Sequence, residues 1–322
     1  MTWRAAAAKL GGAWFARVAA AAPAPATSSP ATGLTAVDGL ALRAGGRYRL
    51  QRELGRGAVG TVYLAIDTES ARPVAVKLMP RAQAAPQEGV APDDASEREW
   101  RAARRLKHPG IVALIDAGSD ERHFWVVSEY APGVNLSRYV RPPRLLPEPL
   151  VLRIGAQLTA ALAHAHAQGV VHRDLKPANV LLELPAGIAR LIDFGVARID
   201  DGFATRTGMT LGTPSYMAPE QLAGAPATAA TDVYALGVVL FELLSGRRPH
   251  VAATLGELLR AVGDGQAARL QPLCPGLDGG AVAAVESMLE RNPDRRPSDL
   301  IAHSAKLQML AEAALAPPLP GA

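Results

Sequence analysis

The chain has 322 residues, 49% apolar and 20% charged, enough to bury a sizeable core and too hydrophobic for disorder throughout. Its 34 Lys and Arg against 30 Asp and Glu leave a net charge of only +4, so nucleic-acid binding is not implied. A single cysteine, Cys274, excludes an internal disulfide, and without a Cys/His cluster at zinc-ligand spacing it points to a reducing compartment.

Residues 1–45 contain 16 alanines, three prolines and five charged residues, with no sustained periodicity after Pro23, and read as a disordered leader without a core of its own. Arg4, Lys9 and Arg17 punctuate the first 22 residues without acids, a texture shared with some targeting peptides. The uncharged run 18–37 is broken by Pro23, Pro25 and Pro30, and the apolar run 233–244 is short and contains Glu242. No membrane insertion is therefore expected, and the chain reads as cytoplasmic. From Arg47 the texture turns β-prone, with runs at 48–54, 61–66, 74–78, 111–116 and 124–128 that predict an antiparallel sheet. One helix, 96–106, interrupts it after a loop-like stretch at 81–95. After Pro132 the pattern becomes helical: Ile154, Leu158, Leu162 and Ala165 recur at helical spacing before Gly169, and further helices are expected at 135–140, 231–245, 255–262, 281–290 and 298–314.

Leu54-Gly55-Arg56-Gly57-Ala58-Val59-Gly60-Thr61-Val62 sets three glycines in a GxGxxGxV pattern between two of these runs. Missing side chains let backbone N–H groups approach phosphate oxygens, although a glycine-rich hairpin without a ligand would look the same. A dinucleotide-binding fold would open a helix at the third glycine, where this chain continues as a strand, and a Walker loop needs a Gly-Lys pair that is missing. Val74-Ala75-Val76-Lys77 is expected to end the next strand with a lysine suited to pinning phosphates if an acid holds its amine. Glu97 and Glu99 are the candidates, and Ser96 with Glu99 also matches an S-x-x-E capping box. Beyond Gly169, His172-Arg173-Asp174-Leu175-Lys176-Pro177-Ala178-Asn179 crowds five polar or ionisable side chains into eight positions. Fourteen residues after Asn179 comes Asp193-Phe194-Gly195. An Asn and two Asp side chains are hard oxygen donors of the kind that hold Mg²⁺, while each piece alone also reads as an Asx turn or a buried ion pair.

In this order, the motifs resemble those of the eukaryotic-type (Hanks-type) serine/threonine protein kinases found in bacteria. The resemblance implies an α+β, two-lobed protein-kinase-like fold: an antiparallel β lobe with one key helix at 46–130, a larger mainly helical lobe at 131–310, and a flexible tail at 311–322. It implies that Leu54, Gly55, Gly57, Gly60, Val62 and Ala75 surround ATP, that Lys77 contacts its α- and β-phosphates with Glu99 as ion-pair partner, and that Glu129 and Ala131 belong to an adenine-reading hinge. Asp174 would orient or accept the proton of the substrate hydroxyl, Lys176 would reach the γ-phosphate, and Asn179 with Asp193 would hold Mg²⁺, or Mn²⁺ as the alternative ion. Arg173 would receive a phosphate placed on Thr205, Thr207 or Thr210 of an activation segment, and Thr213 together with Lys176 matches a preference for Ser/Thr over Tyr. Asp232 resembles the aspartate that braces the catalytic loop, Arg296 the partner of Glu220, and Ser128 a gatekeeper that leaves a roomy back pocket. His164, His166 and Trp100 have no motif role and read as packing or surface residues. Protein substrates follow as partners, with a cognate phosphatase or a phosphothreonine-binding protein beside them. A catalytically silent nucleotide-sensing scaffold is the rival reading, opposed by the intact Lys77, Asp174, Asn179 and Asp193. A small-molecule phosphotransferase is opposed by the peptide-docking pattern at 212–220.

Overall fold

The computed structural model describes residues 46–57, 60–80, 100–120, 123–184, 186–194, 214–265 and 267–315. Strands β1 (Tyr48–Arg56), β2 (Thr61–Asp67), β3 (Pro73–Pro80), β4 (Leu114–Ser119) and β5 (His123–Glu129) pair antiparallel in the order β1-β2-β3-β5-β4. Alternation along the strands decides which side chains face the core. In β3, Val74, Val76 and Leu78 are buried with Tyr48, Leu50, Ala65 and Val127, which leaves Ala75 and Lys77 half-buried on the opposite face.

Two strand boundaries differ from the sequence expectation. Lys77 does not end β3, because pairing with β5 continues through Pro80 opposite His123. The run 111–116 is shared between two partners. Leu191 N donates to Gly110 O at 2.8 Å and Val112 N to Leu191 O at 2.9 Å, so this stretch is bound to the second lobe and β4 starts only at Leu114. Hydrophobic periodicity carries no mark of where one partner gives way to another.

The second lobe contains α1 (Glu148–Ala167), α2 (Pro219–Leu222), α3 (Ala229–Ser245), α4 (Leu255–Gly263), α5 (Leu270–Leu273), α6 (Gly279–Met288) and α7 (Leu300–Ala313). Ile154, Leu158, Leu162 and Ala165 of α1 are all fully buried, as their spacing predicts, and the helix ends ahead of Gly169 at φ 73°. Buried residues run along almost the whole of α3, which packs on α1 and α6 and forms the centre of the lobe. Asp278 and Asp299 cap α6 and α7 through their carboxylates. Of the predicted helix 96–106, residues 100–103 are helical and 96–99 lie outside the described residues. The helix expected at 135–140 is a 3₁₀ turn, Leu136–Tyr139, and α7 continues past residue 310 to Ala313.

A small sheet unforeseen in the sequence joins β6 (Val134–Asn135), β7 (Val180–Glu183) and β8 (Ile188–Leu191). Gln157 of α1 holds it: its amide donates to Gly187 O at 2.8 Å and accepts from Ala189 N at 3.0 Å. The loop before β7 and the residues after β8 are thereby fixed against the buried helix.

Burial keeps the imidazoles of His250 and His303 below the ordinary histidine range, with Lys306 adding to the effect at His303. The unfolded chain protonates these groups near 6.5, so unfolding takes up protons and stability is lost as pH falls from there through the lower folded values. Burial raises Glu148 and Glu242, which act in the opposite sense from lower pH. Urea midpoints are expected to fall between about pH 7.5 and about pH 6, with a shallower slope in a His250→Gln, His303→Gln double variant. An equal slope in both proteins would contradict this.

Candidate active site

The strand register assembles one side of the site. Gly55 lies opposite Val62, Val62 opposite Lys77, and Ala75 opposite Ser128, so these positions share one face across four strands. Gly57 N donates to Gly60 O at 2.9 Å and closes the β1–β2 hairpin. The three glycines separate by cause. A Cβ at Gly60 would stand 2.2 Å from Leu78 O, so the neighbouring strand alone requires glycine there. A Cβ at Gly55 would meet nothing within 4 Å, and one at Gly57 only Gly60 O at 4.0 Å, so packing does not explain the lack of a side chain at either. Gly60→Ala is expected to destabilise the fold by about 1–3 kcal/mol. Gly57→Ala should leave thermal stability near native and weaken nucleotide binding, and equal melting losses in both variants would contradict that separation.

Leu54 is exposed at the rim of β1, Glu129 ends β5, and Ala131 is buried just beyond it. Glu129 N donates to Ala113 O at 2.9 Å, while its carboxylate lies 3.7 Å from Arg190 Nη1 of β8. Lys77, whose side chain is 18% exposed, donates from Nζ to Asp193 Oδ2 at 2.9 Å. This bond spans 116 residues of sequence and joins the sheet to the helical lobe. Glu99 and Glu97, the acids expected beside Lys77, lie outside the described residues, as do Thr205, Thr207, Thr210 and Thr213.

Across from Lys77, the 3₁₀ turn Pro177–Asn179 brings Asn179 back towards Asp174. Asn179 Nδ2 donates to Asp174 O at 2.7 Å and to its Oδ2 at 3.0 Å, and Lys176 Nζ donates to the same Oδ2 at 2.7 Å. Because both partners of that amide nitrogen are acceptors, the carbonyl oxygen of Asn179 is left as its donor atom for a cation. Ile192 N donates to Asn179 O at 3.0 Å, which brings the backbone ahead of Asp193 beside the same turn. Among the described residues no group of three or more His, Cys, Asp or Glu could hold a metal ion. An Asn carbonyl and one carboxylate fit a cation that takes its remaining ligands from phosphate and water, as Mg²⁺ does.

The loop geometry is maintained from below. Arg173 and Asp193 adopt φ of 70° and 65°, conformations unfavourable to residues with side chains and maintained only by their surroundings. Asp232, 1% exposed in its side chain, accepts from His172 N at 2.8 Å, Arg173 N at 2.9 Å and His166 Nε2 at 2.8 Å. His172 Nε2 lies 2.9 Å from Ile192 O, and its ring meets buried Phe194 edge-on at 4.6 Å. Glu220 and Arg296 form a two-pronged ion pair at 2.6 and 2.8 Å. The expectation for His166 is corrected here: a residue taken as packing or surface bonds a buried carboxylate. His164 instead lies 2.7 Å from Gln168 Nε2, and Trp100 packs partly buried on the main core. Nothing in a single sequence separates two histidines two positions apart, since only the helix's rotation decides which of them faces Asp232.

A five-stranded sheet joined to a helical body by the Lys77–Asp193 pair, with a second ammonium–carboxylate pair, Lys176–Asp174, on the helical side, defines a two-lobed protein-kinase-like fold. The family model "Protein kinase domain" matches residues 48–310, and the chain belongs to that family. Curated proteins similar to it include serine/threonine-protein kinase PrkC of Bacillus subtilis, 39% identical over 64% of this chain and 32% of its own length, and PkaA of Streptomyces coelicolor, 38% identical over 79% and 48%. PknA of Mycobacterium tuberculosis is 36% identical over 78% of this chain and 58% of its own length. The chain thus spans between 32% and 58% of these relatives. Among solved structures, Rad53 residues 1–466 in complex with AMP-PNP matches with a TM-score of 0.65 at 24% identity, over 84% of this chain and 66% of the other, which is a likeness of fold.

Proposed function

We propose that this chain is the catalytic domain of an ATP- and Mg²⁺-dependent protein kinase that phosphorylates serine and threonine. The observation that carries this is the meeting of Lys77 with Asp193 beside the Asp174, Lys176 and Asn179 cluster. Family membership and the serine/threonine-kinase names of the three relatives support it. Phosphoryl transfer needs in-line positioning and neutralisation of charge more than covalent help, and these residues supply both.

In this reading Gly55 and Gly57 leave room for backbone N–H groups to approach the phosphates, and Lys77 neutralises the α- and β-phosphates. Asp174 accepts or orients the proton of the attacking hydroxyl, while Lys176 sits between that carboxylate and the γ-phosphate. Asn179 and Asp193 hold the cation, which supplies Lewis-acid neutralisation of the phosphate oxygens when bound. Backbone groups from Glu129 to Ala131 read adenine. Thr213 and Lys176 favour Ser/Thr over Tyr, and Thr205, Thr207 or Thr210 takes a phosphate that Arg173 then receives, ordering the segment. Protein substrates are the partners, and the cytoplasm the compartment. Among the described residues no helix is long and apolar enough to cross a membrane.

The test is incorporation of label from γ-labelled Mg·ATP into the chain and into a generic Ser/Thr substrate, native against Asp193→Asn, followed by mass-spectrometric mapping. Transfer by the native chain alone, with phosphate on one of the three threonines, supports the reading. Nucleotide binding without transfer by either protein would favour the scaffold reading instead.

A further inference from the structure

We propose that a cavity in the helical lobe, between α2, α3, α4 and the end of α6, binds a small neutral aromatic molecule that carries a hydroxyl group. The cavity has a volume of about 210 Å³, and Pro219, Tyr234, His250, Val262, Ala267 and Leu289 are among its walls. None of these residues has a part in the phosphoryl-transfer scheme, so the inference goes beyond the kinase reading and its test does not depend on it.

Two of the wall residues are polar, more than nine-tenths buried and without hydrogen bonds. Tyr234 is 2% exposed and His250 9%. His250 Nδ1 has no partner, and the Tyr234 hydroxyl bonds to nothing among the described residues. Arg296 accounts for the Tyr234 ring, which its guanidinium faces at 4.9 Å, but not for the hydroxyl. Buried polar groups in a native fold are almost always paired, and an unpaired one destabilises it. A ligand that supplies both missing partners explains why two of them line one cavity. Water alone is a poor occupant, because a buried water needs about two to four polar partners and the side chains of Pro219, Val262, Ala267 and Leu289 offer none.

Size and charge set the ligand class. A dry cavity of about 150 Å³ takes benzene, so this one admits a single ring with one or two substituents. Burial keeps the His250 imidazole below the ordinary histidine range and pushes the Tyr234 phenol up to about 12, so both are uncharged at neutral pH. A neutral imidazole has one donor and one acceptor nitrogen and a phenol does both, which a ligand hydroxyl matches in either sense. The ionic groups in the walls offset one another: Arg269 bonds Glu286 at 2.7 Å, and exposed Glu290 is followed by exposed Arg291. A charged ligand therefore has no counter-ion to meet. The walls are also fixed without a ligand, since Ala268 N donates to Pro249 O at 2.8 Å and Leu270 N to Glu286 Oε1 at 2.8 Å.

The probe is p-cresol, titrated into the methyl-labelled chain by NMR beside p-xylene, which has a methyl in place of the hydroxyl. The methyl signals of Val262 and Leu289 should shift and saturate with a Kd of about 0.1–1 mM for p-cresol, and p-xylene should bind about tenfold more weakly. At ten times Kd, p-cresol should raise the melting temperature by about 2 °C. His250→Phe keeps a ring of similar size and removes the unpaired nitrogens, so it should weaken p-cresol about tenfold while melting no lower than native. Ala267→Phe, which fills the cavity and leaves both polar side chains in place, should abolish binding. No saturable shift at Val262 and Leu289 up to about 5 mM would overturn the proposal, as would p-xylene binding as tightly as p-cresol, or native affinity in both variants.

Discussion

Asp174→Asn is expected to slow transfer of the γ-phosphate by about 10² to 10⁴, the range for losing a positioned proton acceptor. The substitution keeps the shape of the side chain and one acceptor oxygen, so Lys176 and Asn179, which now bond Oδ2 at 2.7 and 3.0 Å, retain a partner. Asp174 is 35% exposed in its side chain, so folding stability should change little. Binding of Mg·ATP should persist, because Lys77, Asn179 and Asp193 are untouched. Steady-state rates, nucleotide affinity and melting temperature measured on one preparation separate these effects. A variant within tenfold of native turnover would remove Asp174 from the role of proton acceptor, and lost nucleotide binding would show that it acts on the ground state.

Arg296→Ala should produce the largest loss of stability, about 3–5 kcal/mol, as when one partner of a buried ion pair is removed. All five N–H groups of Arg296 are used. Nε donates to Glu290 O at 2.8 Å; Nη1 to Glu220 Oε1 at 2.6 Å and Ala230 O at 2.9 Å; Nη2 to Glu220 Oε2 at 2.8 Å and Arg291 O at 3.1 Å. The guanidinium also lies over the Tyr234 ring, 4.9 Å from its centre, and burial pushes that phenol up to about 12, so it stays neutral. The side chain is 1% exposed, so no water replaces these bonds. Three carbonyls and the Glu220 carboxylate would lose their donors together. Arg296→Lys should recover little, since an ammonium cannot reproduce the flat two-pronged contact. With total stability of about 5–15 kcal/mol usual for a domain, either variant should show a steep fall in the urea midpoint. A shift under about 1 kcal/mol would mean that the network contributes little net stability.

The parts of the fold legible in the sequence are those governed by local pattern. The apolar spacing of Ile154, Leu158 and Leu162 marks α1, and the run before Gly246 marks α3, which that glycine closes at φ 73°. The joins between lobes were not legible. The stretch 111–116 reads as one β-prone run, yet its first residues bond Leu191, about 80 positions away, and only later ones enter the sheet. The short pairing of β6 with β7 leaves no periodic trace, since two residues cannot alternate.

The chemistry divides in the same way. Asp174, Asn179 and Asp193 stand out as a dense polar cluster in apolar flanks, and the structure brings Asp174 and Asn179 together with Asp193 on the Lys77 side. The glycine pattern was legible as one unit, but its members differ: Gly60 is required by the carbonyl of Leu78, and only Gly55 and Gly57 are left for a ligand to explain. Likewise Lys77 reads as a lysine in need of an acid, and the acid described beside it is Asp193, a contact that sequence distance conceals.

The measurement that tests the central claim most directly is phosphoamino-acid analysis of a mixed Ser-, Thr- and Tyr-containing peptide pool after reaction with γ-labelled Mg·ATP and the native chain. The account predicts label in phosphoserine and phosphothreonine, none in phosphotyrosine, and none without the divalent cation. Label in phosphotyrosine, or no transfer from a chain that still binds nucleotide, would contradict it.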